Sequence, residues 1–154
     1  MKIRTSYFYQ IRNFKKNMIP VSTAMWDPKW FHDFNNYNTI FKDKRGIING
    51  IRLLPVIVQD KCHCYCPCDN KNPDKCTFLK KYRNELDKIN FNQMIKDMEQ
   101  LAIQWQKAEN IKEEPIIVLI VYETPNNLCS ERRVLIEYFN DNGIECKELE
   151  YPIV

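Results

Sequence analysis

Five cysteines and a histidine fall within fifteen positions: Cys62, His63, Cys64, Cys66, Cys68 and Cys76. Thiolates hold zinc in a closed tetrahedron when their spacing lets the chain wrap the ion. Cys62 to Cys66 and Cys64 to Cys68 each leave three residues between, and Cys68 to Cys76 leaves seven, with Asn72-Pro73-Asp74 to turn the chain. Four thiolates drawn from these five complete one zinc site, with His63 a spectator because sulfurs are in excess. Apart from Tyr65 and its prolines, the loop has little apolar surface to order it, and metal would supply that order. The usual paired two-residue spacing is absent. An iron–sulfur cluster is the alternative occupant of the same thiolates, and a reduced loop without metal is the plainest one.

A second constellation surrounds Cys129. It follows the apolar run Ile116 to Val121 and opens a stretch of helical period. In open α/β sheets, ligands bind at the strand carboxyl ends. A helix start there offers amide donors and partial positive charge to an anion, and favours the thiolate of a cysteine. Arg132 and Arg133 add fixed charge, and Glu123 is placed to take a proton or hold a ribose hydroxyl. Cys129 and Glu123 are therefore the candidate catalytic residues. Thr5, Ser6, Trp30, Ser130, Arg132 and Arg133 are the candidate ligand contacts. Each also has a plain role: Ser130 as a cap, Glu131 as complement to the helix dipole, the arginines as a solvated face, Cys129 as a small buried hydrophobe.

A third group is aromatic. Tyr7, Phe8, Tyr9, Trp26, Trp30, Phe31, Phe34 and Tyr37 crowd the first forty residues beside Arg12, Lys15, Lys16 and Lys29. Aromatics with basic neighbours stack bases and hold phosphates. The competing use is core, above all for Phe8 and Phe34.

These groups need a scaffold, and 154 residues suit one domain over 1–154, with residues 59–76 as a cysteine-rich insertion. A hydrophobic share of 44% and a charged share of 28% are those of a globular chain. Three glycines are too few for a glycine-rich phosphate loop, and a net charge of +3 does not by itself imply nucleic acid. The start lacks an apolar signal core and no run reaches membrane-span length, so the expected location is the cytoplasm without membrane contact. There, seven cysteines point to metal or thiol chemistry rather than disulfides.

Residues 2–9 read as a strand, 10–17 as a short helix, and Met18 to Ala24 as a second strand with Pro20 at its start or edge. Trp26 to Tyr37 reads as a turn-rich loop, Asn49-Gly50 as a turn, and 51–58 as a short strand or packed loop. Phe78, Leu79, Tyr82, Leu86 and Ile89 mark one helix, capped by Asp74 or Thr77. Met94, Ile95, Met98, Leu101, Ala102 and Trp105 mark another, capped by Asn90 or Asn92. Ile116 to Val121, apolar on both faces, is a central parallel strand. Residues 129–141 form a helix with Val134, Leu135, Tyr138 and Phe139 inward and Gly143 as left-handed cap, and Ile144 to Leu149 is the last strand.

The run Ile117-Val118-Leu119-Ile120-Val121-Tyr122-Glu123-Thr124-Pro125-Asn126-Asn127-Leu128-Cys129-Ser130-Glu131-Arg132-Arg133 resembles the hallmark of the domain of unknown function 488 family. That hallmark is an apolar strand ending in Tyr-Glu, a short loop, then Cys-His-Arg opening a helix. Thr5-Ser6-Tyr7-Phe8, Pro20-Val21-Ser22, Pro28-Lys29-Trp30-Phe31 and Leu54-Pro55 are similar to the family in the same order. The histidine of Cys-His-Arg is missing here. The resemblance implies a Rossmann-like α/β fold and carries no settled activity with it. Taken with the strand–helix–strand pattern, the expected architecture is a three-layer α/β domain with a mainly parallel sheet, and the expected function is that of a nucleotide- or nucleic-acid-binding protein with its site near Cys129. The competing one is a non-catalytic, zinc-stabilised module that binds a protein partner.

Overall fold

The computed structural model describes residues 1–23 and 71–154. Four strands form one sheet: β1 (Lys2–Tyr7), β2 (Met18–Ser22), β3 (Ile116–Val121) and β4 (Cys146–Glu148). Their order is β2-β3-β1-β4, and every pairing is parallel. The helices are α1 (Thr77–Asp87), α2 (Phe91–Glu109) and α3 (Glu131–Asp141). The expected mixed α/β content and parallel sheet are present. The turn-rich stretch 26–37, Asn49-Gly50, 51–58, Trp30, Cys62, Cys64, Cys66 and Cys68 lie outside the described residues.

β3 is central because its sequence allows nothing else. Ile117 to Val121 are each 0% exposed, as a continuous β-branched run must be when both sheet faces are covered. β1 is its neighbour, with Ile3 opposite Ile117 and Thr5 opposite Leu119. The expected strand over 2–9 stops at Tyr7, and Phe8–Asn13 is a 3-10 helix. The reason is a three-residue period: Phe8 and Ile11 are both buried, and three residues per turn aligns them. Pro20 sits in the middle of β2 rather than at its start. β2 pairs only with β3 among the described residues, and an end strand tolerates the missing N–H.

The helices turn the expected apolar faces inward. Leu79, Tyr82 and Leu86 of α1, and Met94, Met98, Ala102 and Trp105 of α2, are buried. The Trp105 indole N–H donates to the Lys16 carbonyl at 2.7 Å, tying α2 to the chain just before β2. Neither Asp74 nor Thr77 caps α1. The cap position is Cys76, which makes no side-chain cap bond, and a 3-10 turn over Pro73–Lys75 feeds directly into the helix. Asn90 does cap α2, its Oδ1 accepting from the Gln93 amide at 3.1 Å. α3 starts two residues later than expected, at Glu131, because Ser130 is its cap. It ends in a Schellman closure: Gly143, at φ +84°, donates to Asn140 O at 3.0 Å and Ile144 donates to Phe139 O at 3.0 Å. That closure uses the Ile144 amide, so β4 begins only at Cys146. No helix among the described residues is long and apolar enough to cross a membrane.

Candidate functional site

The carboxyl ends of β1, β3 and β4 meet in one polar cluster. Parallel register produces it: Thr5 stands opposite Leu119 on one side and Glu148 on the other. Thr5 and Ser6 are each 0% exposed, so both hydroxyls need partners. Thr5 Oγ1 donates to Glu148 Oε2 at 2.6 Å. Tyr151 donates its phenol to Glu148 Oε1 at 2.5 Å, so at the 2.7 Å contact between Ser6 Oγ and Tyr151 Oη the serine is the donor. Burial first, then the bond to Glu148, raise the Tyr151 phenol well above its ordinary value.

Arg132 enters this cluster from the first turn of α3. Its Nε donates to Glu148 Oε2 at 2.6 Å and its Nη2 to the Glu123 carbonyl at 2.7 Å. The Tyr7 ring centroid lies 5.9 Å from its guanidinium carbon, and Tyr7 in turn meets Tyr151 edge-on at 5.7 Å. The side chain is 8% exposed. Nη1 is buried with no hydrogen-bond partner. A buried, unsatisfied N–H on a charged group costs about 1–3 kcal/mol or more, which is unusual beside otherwise complete pairing.

Ser130 links the helix to the strand end. Its hydroxyl accepts from the Arg132 amide at 3.2 Å and donates to Glu123 Oε2 at 3.2 Å. Cys129 is half-buried against the core, and its amide donates to Asn127 Oδ1 at 3.0 Å. Hydrogen bonds through Glu148 and Tyr151 thus join Thr5, Ser6, Glu123, Ser130 and Arg132 at the strand carboxyl ends, and Cys129 precedes Ser130 in the loop leading to α3. Arg133 is not brought there. It turns outward to Glu137 at 3.4 Å and Asp74 at 3.7 Å. It lines a groove of about 470 Å³ between α1 and α3 with Lys80 and Arg83, and no residue of the strand-end cluster lines that groove.

Three members of the cluster were not among the expected site residues: Glu148, Tyr151 and Glu131. Glu131 had the plain role of a dipole complement. It is instead 8% exposed, and burial, then the neighbouring Glu123 charge, push its carboxyl up to about 8 while Arg132 pulls it down. It is thus protonated at neutral pH. Tyr82 of α1, fully buried, is raised by burial and then by the Glu131 charge. The local signal for Glu148 was its place near the end of the expected last strand, Ile144 to Leu149.

Of the five cysteines proposed for metal, only Cys76 is among the described residues, buried in the core cluster at the start of α1. Among the described residues no group of three or more His, Cys, Asp or Glu is placed to hold a metal ion.

The class so defined is a parallel α/β sheet with a polar cluster at its strand carboxyl ends. No family model, curated protein or solved structure matches the chain.

Proposed function

We propose that this cluster binds the phosphate of a nucleotide or nucleic acid, and that the chain works in the cytoplasm as a three-layer domain with the Rossmann-like fold that its resemblance to the domain of unknown function 488 family implies. One observation carries the reading: Arg132 Nη1 is buried and unpartnered at the first turn of α3. The other two arms of the fork are tied to Glu148 and the Glu123 carbonyl, so the orientation of Nη1 is set before any ligand arrives. A phosphoryl oxygen is the natural acceptor for such an arm, and the helix start adds favourable charge. Glu123 then serves a ribose hydroxyl or a proton, and Cys129, in the loop just before Ser130, stands as the candidate nucleophile.

Titration calorimetry with nucleoside monophosphates tests this. Arg132→Lys replaces a three-way fork with a point charge and should lower affinity roughly tenfold, about 1.4 kcal/mol. Glu148→Gln removes the competing carboxylate charge and should raise affinity. If no nucleotide binds the wild-type protein with Kd below about 1 mM, the reading fails.

The second part of the proposal is the metal. Four of Cys62, Cys64, Cys66, Cys68 and Cys76 would hold one zinc, which in a closed thiolate site supplies folding order. The support is the cysteine density of 59–76. Elemental analysis should find one equivalent. Less than about a tenth of an equivalent refutes a structural site, and visible absorption with iron assigns the cluster instead.

A further inference from the structure

The strand-end cluster already holds an anion, and it is the chain's own. The Glu148 carboxylate receives Thr5 Oγ1 and Arg132 Nε on Oε2, each at 2.6 Å, and the Tyr151 phenol on Oε1 at 2.5 Å. Donors from β1, from α3 and from the chain after β4 thus converge on one negative group, which is what an anion cradle must supply. Arg132 Nη1 nevertheless stays buried without a partner. A phosphoryl group brings three acceptor oxygens, enough for Thr5 Oγ1, Arg132 Nε and Arg132 Nη1 together.

The two members of the central ion pair differ in their access to water. The Arg132 side chain is 8% exposed and that of Glu148 is 20%. Arg132 is fixed further by its bond to the Glu123 carbonyl at 2.7 Å. Glu148 is therefore the member that can turn out to solvent, and Tyr151 restrains it from the segment that follows β4. That segment, 150–154, has no regular secondary structure and makes no backbone hydrogen bond among the described residues. The last backbone bond before it runs from the Leu149 amide to Thr5 O at 3.0 Å. Beyond that point the chain is held by two side chains. Tyr151 is bonded to Glu148 and Ser6 and meets the Tyr7 ring edge-on, and Ile153 is partly buried on the core. Val154 is 90% exposed. A segment with side-chain anchors and no backbone ladder is the kind that opens locally while the sheet stays folded.

We infer that Tyr151 is a latch: together with Glu148 it keeps the strand-end site occupied by the chain itself, and a phosphate enters by displacing the Glu148 carboxylate to solvent while Tyr151 leaves with residues 150–154. This rests on the phosphate-binding reading above and adds the regulation of that site. The exchange replaces one anion by another at Arg132, so the buried guanidinium is never left without a counter-charge. Apparent affinity is lowered by the fraction of molecules that are closed, so loosening the latch must tighten binding.

The first test is Tyr151→Phe, which removes the hydroxyl and keeps the ring against Tyr7. In titration calorimetry on the full chain it should bind adenosine monophosphate roughly tenfold tighter than wild type, because the bond lost is one to a carboxylate. The second uses wild-type protein and decides even if the variant is less stable. An acetylating reagent for phenols, read by peptide mass spectrometry, should modify Tyr151 much more slowly than Tyr9, which is 58% exposed. Saturating adenosine monophosphate should speed modification of Tyr151 and leave Tyr9 unchanged. If Tyr151→Phe binds no tighter than wild type, or Tyr151 is shielded equally or better in the loaded protein, the latch is refuted and the phosphate site stands. If neither protein binds the nucleotide, the underlying reading falls with it.

Discussion

Glutamine in place of Glu131 keeps the shape of the protonated side chain and removes its ability to ionise. The native carboxyl titrates near 8 against an ordinary value of 4.5, because burial, then the charge of Glu123, oppose its anion. Between those values the folded protein holds a proton that the unfolded chain has released. Stability must therefore fall as pH rises from about 4.5 to about 8. At about 1.4 kcal/mol per pH unit the loss reaches about 5 kcal/mol at most. That is a large part of the ~5–15 kcal/mol available to a domain. Glu131→Gln should abolish this term, so it should match wild type near pH 4 and exceed it increasingly from about pH 5 to about pH 8. Urea denaturation of both proteins from pH 4 to pH 9 isolates the group by difference, since every other titration is shared. A difference that stays flat within about 0.5 kcal/mol, the scatter of unrelated surface changes, refutes the burial argument. It would mean that Glu131 is ionised in the fold and that Arg132 or the helix start neutralises it.

Leu119→Ala, at the centre of β3 and 0% exposed, should cost about 2–5 kcal/mol through the cavity it leaves, measured by chemical denaturation. Gly143→Ala meets no atom within 4 Å but must hold φ near +84°, so strain alone should cost about 1–2 kcal/mol; no loss would show that the backbone relaxes there. Cys146 is buried and its thiol is pushed up to about 12, first by burial. It should resist alkylation in the folded protein at pH 9, while half-buried Cys129 reacts, as peptide mass spectrometry would show. Equal labelling of the two would contradict the packing of β4.

Periodicity made the core elements legible. Ile116 to Val121 could only be a covered strand, and the apolar spacing of α2 placed Met94, Met98 and Trp105 correctly. The candidate site was half legible. Cys129, Ser130 and Arg132 are local to one strand-to-helix turn, and local order is what sequence shows best. Arg132 and Arg133 looked equivalent on paper. Successive helix residues point about 100° apart, so only one of them can enter the cluster, and nothing in the string says which. Glu148 and Tyr151 were missed for a different reason. Their roles depend on β4 pairing with β1 in a register that aligns Thr5 with Glu148, a relation between positions 143 residues apart. The early end of β1 was hidden because Tyr7, Phe8 and Tyr9 are all good strand residues, and only burial of Phe8 with Ile11 reveals the tighter turn.

The sheet order sets a timetable for synthesis. β1 is made first yet lies between β3 and β4, both of which follow more than a hundred residues later. At about 5–20 residues per second, the ribosome exposes β1 for roughly 5–25 s before its first partner exists. During that interval Ile3 and Phe8 have no sheet or core to enter. Loop closure over such a span is slow compared with helix formation, so α1 and α2 can form and pack while β1 still waits. The nascent chain is thus most prone to wrong association early, and slowing translation just before Ile116 should lower the soluble yield more than slowing it after Glu148.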